Sequence, residues 1–203
     1  MPVPTTAAIR IRRLLLLLPL LVLAALVASW FWGGSKNVQS TLPDVTLETL
    51  DGQAYALTPK PGHIRLVELI YTRCPDICPT TTIKMVQLQK RLQEANLMGN
   101  GIEFLTVTID PENDTPDVLR YYAKQLGIGA QGWTILRGDE QTTRTVTSSL
   151  GFYASKMEDG FISHTSSTYL VNQNNEVVRK FGMGEDFDPD QIYQELLNVQ
   201  KEG

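Results

Sequence analysis

The apolar positions of the chain fall into three kinds of run, each predicting a different element. The first covers residues 14–32, LLLLLPLLVLAALVASWFW, 19 residues without a charge. As a helix it extends roughly 28 Å, close to the ~30 Å hydrocarbon thickness of a bilayer. The second kind is short and β-branched or aromatic. Residues 64–71 (IRLVELIY), 102–109 (IEFLTVTI) and 133–136 (WTIL) read as strands. The third kind is periodic. Residues 79–98 place Met85, Leu88, Leu92 and Ala95 on one stripe, and a second helix follows Thr115 with Val118, Leu119, Tyr122, Ala123 and Leu126 as its apolar face.

Turn chemistry supplies the boundaries. Asp51-Gly52 separates residues 42–50 from 53–57 as a hairpin, and Gln173-Asn174-Asn175 does the same for residues 168–172 and 177–181. Thr115-Pro116-Asp117 combines an N-cap, a first-turn proline and an acid at the positive end of the helix dipole, and Gly127 ends that helix. Residues 139–150 read as a polar helix, and Asp188-Pro189 opens a last one carrying Ile192, Leu196 and Leu197. The order is a β-hairpin, then β-α-β-α-β-α, then β-β-α. Strand–helix–strand units imply parallel pairing with right-handed crossovers, and the late hairpin adds an antiparallel edge. The expected fold is an α/β mixed sheet flanked by helices.

Charge divides the chain more sharply than composition does. The 203 residues carry a formal −4, too acidic for a phosphate-backbone ligand, so no nucleic-acid partner is expected. Yet residues 1–32 hold Arg10, Arg12 and Arg13 and no acid, a formal +3, leaving −7 on the remainder. A cleaved signal peptide and a retained anchor both fit a basic start followed by an apolar run. The length of the run and its end at Trp30-Phe31-Trp32, where indoles favour the membrane interface, point to the anchor. The arginines then hold the short tail inside and export the rest, most simply across a bacterial cytoplasmic membrane. The organisation expected is a tail (1–13), a transmembrane helix (14–32), a linker (33–41) and a folded domain (42–203).

Two cysteines and two histidines are the only soft or borderline ligands besides methionine. Both cysteines lie in Tyr71-Thr72-Arg73-Cys74-Pro75-Asp76-Ile77-Cys78-Pro79, where a strand ends and a helix begins, the usual place for a ligand site in an open α/β sheet. Cys78 reads as lying near the N-cap, where helix N–H groups favour a thiolate. A structural disulfide is the bland alternative, weakened because closing so short a loop constrains the unfolded chain little. His164, in a loop before a strand, is a surface residue by default, and His63 reads as a solvated turn residue. Asp110 follows the strand of residues 102–109 at its carboxyl end and faces the same crevice as the cysteines, whereas Asp114 and Thr115 fit turn and capping roles. Glu68 interrupts an apolar strand, either buried near the site or turned to a polar sheet edge. Met183 is a candidate thioether ligand or simply packing. No phosphate loop, G-x-S-x-G or H-E-x-x-H occurs.

These residues resemble the Sco/SenC family of membrane-anchored copper proteins. The likeness rests on the anchor, on YTRCPDICP, on TIDPENDTP, and on a histidine ahead of STYLVN. It implies a thioredoxin-like fold with an N-terminal β-hairpin, preceded by a single transmembrane helix. It also implies copper, Cu(I) or Cu(II), held by Cys74, Cys78 and His164, with Asp110 adjoining the site. Ser163 stands where an acid is common in relatives. Two thiolates and an imidazole suit Cu(I), and an added oxygen ligand accommodates Cu(II). The function implied is a metallochaperone, no enzyme in the strict sense. It would deliver copper to the dinuclear centre on the copper-bearing subunit of cytochrome c oxidase. Its other partners would be further copper chaperones or thioredoxin-like reductases. A thiol–disulfide oxidoreductase, with Cys74 attacking and Cys78 resolving, is the alternative from another class.

Overall fold

The computed structural model describes residues 40–202, so the tail, the expected anchor and most of the linker lie outside the described residues. Within them no helix is long and apolar enough to cross a membrane. The chain order is β1 (Thr46–Thr49), β2 (Ala54–Ala56), β3 (Ile64–Ile70), α1 (Ile77–Glu94), β4 (Ile102–Thr108), α2 (Pro116–Leu126), β5 (Trp133–Arg137) and α3 (Glu140–Ser149). There follow β6 (Ala154–Lys156), β7 (Ile162–His164), β8 (Ser167–Val171), β9 (Val177–Gly182), a 3₁₀ turn at Gly184–Asp186 and α4 (Pro189–Glu202).

Seven strands form one sheet in the order β2-β1-β5-β4-β3-β8-β9. β3, β4 and β5 run parallel, and both flanks are antiparallel. β3 is buried along its whole length, as a central strand covered on both faces must be. Its alternate residues enter different cores. Leu66 packs with Phe104, with Leu88 and Leu92 of α1, and with Ile192 and Leu196 of α4. Val67 and Leu69 join Leu105, Leu119 of α2 and Val146 of α3. The expected mixed sheet with helical cover is therefore present.

Three local expectations need correction. α1 ends at Glu94 rather than near Met98, because Asn96 turns left-handed (φ 56°) and sends the chain back, with the N–H groups of Leu97 and Met98 both donating to the Leu92 carbonyl. Val118, assigned to the apolar face of α2, is exposed, and burial falls on Leu119 and Tyr122. The pair β6–β7 forms a separate two-stranded ribbon where a loop was expected. Its strands are three residues long and too polar to register as periodic. The turn signal Asp159-Gly160 was there to be read, with Gly160 at φ 82°. His164 is consequently the last residue of β7, not a loop residue.

The register places the chemistry. Ile70 pairs with Thr108, so β3 and β4 end level. The loop after β3 carries Cys74, the loop after β4 carries Asp110, and both open at the same edge of the sheet. His63 precedes β3 at its other end.

Candidate metal centre

The loop from Tyr71 to Asp76 is tied down at several points. The Thr72 N–H and hydroxyl both donate to the buried Asp114 carboxylate, the hydroxyl at 2.5 Å, and Thr108 donates to the same group. Asp114 thus does more than the turn role expected of it: it fastens the loop that precedes Cys74 to the end of β4. Burial pushes its carboxyl upward. Thr115 caps α2 as expected, its hydroxyl accepting from the Val118 N–H at 3.4 Å.

α1 begins at Ile77, with Asp76 at the N-cap but making no side-chain capping bond. The Cys74 sulfur takes that role instead, accepting the Cys78 N–H at 3.4 Å. Cys78 lies near the N-cap as expected, two residues past Asp76 in the first turn and fully buried, but the sulfur that accepts a helix N–H is that of Cys74. Pro79 is tolerated there because first-turn N–H groups lack helical acceptors anyway.

The two sulfurs share their protons unequally. The Cys78 thiol donates to Cys74, and His164 and helix N–H groups add to it, holding the Cys74 thiol down to about 4 despite partial burial. The negative sulfur beside it, together with burial, drives the Cys78 thiol upward. Cys74 is partly buried and Cys78 fully so, and at neutral pH these shifts leave the charge on Cys74 and the proton on Cys78.

His164 completes the group. Its Nδ1–H donates to the Thr165 carbonyl at 2.8 Å, which leaves the Nε2 lone pair for a ligand. The ring stacks on Phe152 (centroids 5.7 Å, planes 14° apart) and meets the edge of Tyr71 at 5.6 Å. The neighbouring thiolate raises the imidazole's affinity for a proton. One donor atom from each of Cys74, Cys78 and His164 falls within 4.8 Å of the others, the one such cluster of metal-ligating side chains among the described residues. Two soft sulfurs and one imidazole form a set for Cu(I) or Zn(II).

The Asp110 carboxylate takes its polar partners from outside the three. Fully buried, it accepts from Arg73 at 2.9 Å and from the Asn113 amide at 2.9 and 3.0 Å, with the Lys156 ammonium 3.8 Å away. Arg73 immediately precedes Cys74, and Lys156 ends β6, the partner of the strand that bears His164. Asp110 thereby links the two halves of the cluster.

The other candidates separate from the site. His63 lies 3.4 Å from Glu103 at the far end of β3, Met183 is packed in the core, and Ser163 is exposed on β7. Glu68 is fully buried, resolving its two readings in favour of the interior. Sequence reading missed Phe152 and Tyr71 as the walls that orient His164. Tyr71 stands within the cysteine motif, but Phe152 carries no local signal, since its partner lies on another segment.

Comparison with known proteins converges on one family. The SCO1/SenC family profile matches residues 36–201. The SCO1 protein homolog of Bacillus subtilis (strain 168) is 30% identical over 158 residues, covering 76% of this chain and 80% of that protein. Among solved structures, BsSco, described as a member of the Sco family of cytochrome c oxidase assembly proteins with a disulfide switch, superposes with a TM-score of 0.70. It is 26% identical, and the match covers 81% of this chain and 95% of that one. ScoI of Bradyrhizobium japonicum with copper bound has the same fold at a TM-score of 0.65 and 22% identity, over 78% and 99% of the two chains.

Proposed function

This chain belongs to the SCO1/SenC family, and from that membership we propose that it binds copper through Cys74, Cys78 and His164 and serves cytochrome c oxidase assembly as a carrier rather than as a catalyst. The observation that carries the reading is the convergence of these three side chains, one of them 86 positions beyond the second cysteine, onto a volume the size of one ion. Copper is the cargo. The Cys74 thiolate meets it first, Cys78 gives up its proton to ligate, and the Phe152 and Tyr71 rings hold His164 at the third position. Release to the dinuclear copper centre proceeds by ligand exchange, an acceptor thiolate entering as one donor leaves. The family's solved members, one described as an oxidase assembly protein and one holding copper, support this reading. Residues 14–32 as a membrane anchor, with the described domain on the outer face of a bacterial cytoplasmic membrane, place carrier and oxidase in one bilayer.

The test is anaerobic titration of the reduced full chain with Cu(I) against a competing chelator. A 1:1 complex that is lost on oxidising the thiols is expected, and no binding beyond that of a simple dithiol refutes the proposal.

One observation favours a second reading. A half-buried thiolate beside a buried, protonated partner is the arrangement of an attacking and a resolving cysteine. The chain would then reduce disulfides, including those of copper-ligand cysteines. Loss of copper binding without loss of disulfide exchange in His164→Ala separates the two activities.

A further inference from the structure

Behind the cysteine pair lies an acid that neither reading uses. Glu68 sits in the middle of β3, inaccessible to solvent. Its carboxyl oxygens meet only two hydroxyls, Thr82 at 3.0 Å on α1 and Thr106 at 3.3 Å on β4. No lysine, arginine or histidine pairs with it among the described residues. Two neutral hydroxyls repay little of the cost of burying an ion, so the group is held as an uncharged acid. Burial is the dominant cause, and it lifts the carboxyl to about 8.

The hydroxyls connect this acid to the metal centre. Thr82 Oγ1 lies 3.0 Å from the Cys78 carbonyl, 3.0 Å from Glu68 and 2.9 Å from the Tyr122 hydroxyl on α2. Its one proton cannot serve all three. With the Thr82 proton on the Cys78 carbonyl, the acid proton of Glu68 and the phenolic proton of Tyr122 fill the two lone pairs of Thr82. On the other side Trp133 Nε1–H donates to Thr106 at 2.9 Å, and Thr106 in turn donates to Glu68. An uncharged Glu68 therefore completes an unbroken chain of donors from β5 to the first turn of α1. The titratable groups facing it are Cys74 and Cys78 at the head of α1 and Tyr122 on α2; from β4 and β5 it meets only Thr106 and, through it, Trp133. Tyr122 stays protonated, pushed up by burial, so it adds no charge.

We propose that Glu68 is a positioning residue for the copper site: uncharged, it locks the Cys78 turn to the sheet, and ionised, it sets a negative charge behind the sulfurs that favours divalent over monovalent copper. The inference rests on the Cys–Cys–His copper reading. Cu(I) with two thiolates and an imidazole makes a centre of net charge −1, whereas Cu(II) with the same donors is neutral. A further negative charge in the interior disfavours the first and leaves the second unopposed. An uncharged Glu68 thus suits a site that holds Cu(I) near neutral pH.

The test measures Cu(I) and Cu(II) affinities of the full chain by chelator competition between about pH 6.5 and about pH 9.5, for wild type and Glu68→Gln. The expected result is a preference for Cu(II) over Cu(I) that rises about ten-fold across this range in wild type, and no such rise in Glu68→Gln. Parallel profiles in the two proteins overturn the role of Glu68 while leaving the copper reading intact. Failure of wild type to bind copper at all overturns the copper reading, and the role of Glu68 with it. Should Glu68→Gln fail to fold, infrared spectroscopy of the wild type decides. A carbonyl band of a protonated carboxylic acid, present at neutral pH and lost in alkali, supports the proposal. Its absence at neutral pH refutes it.

Discussion

Replacing Glu68 by glutamine makes the cost of an interior carboxyl measurable without any metal. The amide matches the acid in size and still donates to a hydroxyl, but it cannot ionise. In wild type the unfolded chain releases this proton near the ordinary value of 4.5, whereas the folded protein keeps it to about 8. Below about pH 4.5 both states hold the proton and pH has no effect through this group. Above it, folding requires the proton to be retained, so the stabilisation is lost progressively as pH rises, until the folded group ionises near pH 8. At about 1.4 kcal/mol per pH unit the full loss is of order 5 kcal/mol, a large share of an ordinary domain's stability. The assay is urea unfolding of the reduced protein, with a chelator present, at a series of pH values from about 5 to about 8.5. Cys74 titrates in the opposite sense and Asp114 in the same sense. Both are common to the two proteins, so the difference between wild type and Glu68→Gln isolates residue 68. The difference should favour wild type most at the acid end and shrink, then reverse, toward pH 8. A difference that stays constant across the range refutes the burial of an uncharged acid.

Four further outcomes are expected. His164→Ala lowers Cu(I) affinity by more than about a hundred-fold, because a ligand matters more than the partners that orient it; chelator competition reads this. Phe152→Ala removes a buried aromatic and the face on which His164 stacks. Its expected cost is about 3–5 kcal/mol in denaturant unfolding, with Phe152→Leu costing markedly less. Asp110→Ala frees Arg73 and loosens the link to the β6–β7 ribbon. Copper affinity should fall about ten-fold with the far-ultraviolet spectrum unchanged. Gly132→Ala places a Cβ 2.5 Å from the backbone nitrogen of Gly99 at a φ of +70°, so a lowered melting temperature is expected without a change in metal stoichiometry.

Much of the fold was legible because the signals were local. β3 and β4 announced themselves by apolar runs, α2 by Thr115-Pro116 at one end and Gly127 at the other, and the β8–β9 hairpin by its asparagines. Where competing contacts decided, reading failed. Asn96 ended α1 early by adopting the left-handed conformation, and Val118 lost its place in the core to Leu119 and Tyr122. The β6–β7 ribbon was too short for any periodicity to show.

The same division runs through the site. Position along the chain was enough to put Cys74 and Cys78 at a strand–helix junction, since four residues cannot separate them far. It also put Asp110 at the same sheet edge, because parallel strands end together. Only tertiary structure decided which thiol is held down, because that depends on which sulfur receives the other thiol's hydrogen bond, the His164 ring and the helix N–H groups, and the chain turns to offer Cys74. His164 joins the cysteines through a ribbon that carries it to them and two rings that pack on its imidazole, contacts spanning distant segments. Glu68 was a bare irregularity in an apolar run until packing surrounded it with hydroxyls and, among the described residues, no cation. Sequence determines which groups exist and which neighbours are fixed by covalent reach. Their protonation and orientation follow from desolvation and hydrogen bonding, which are properties of the assembled interior.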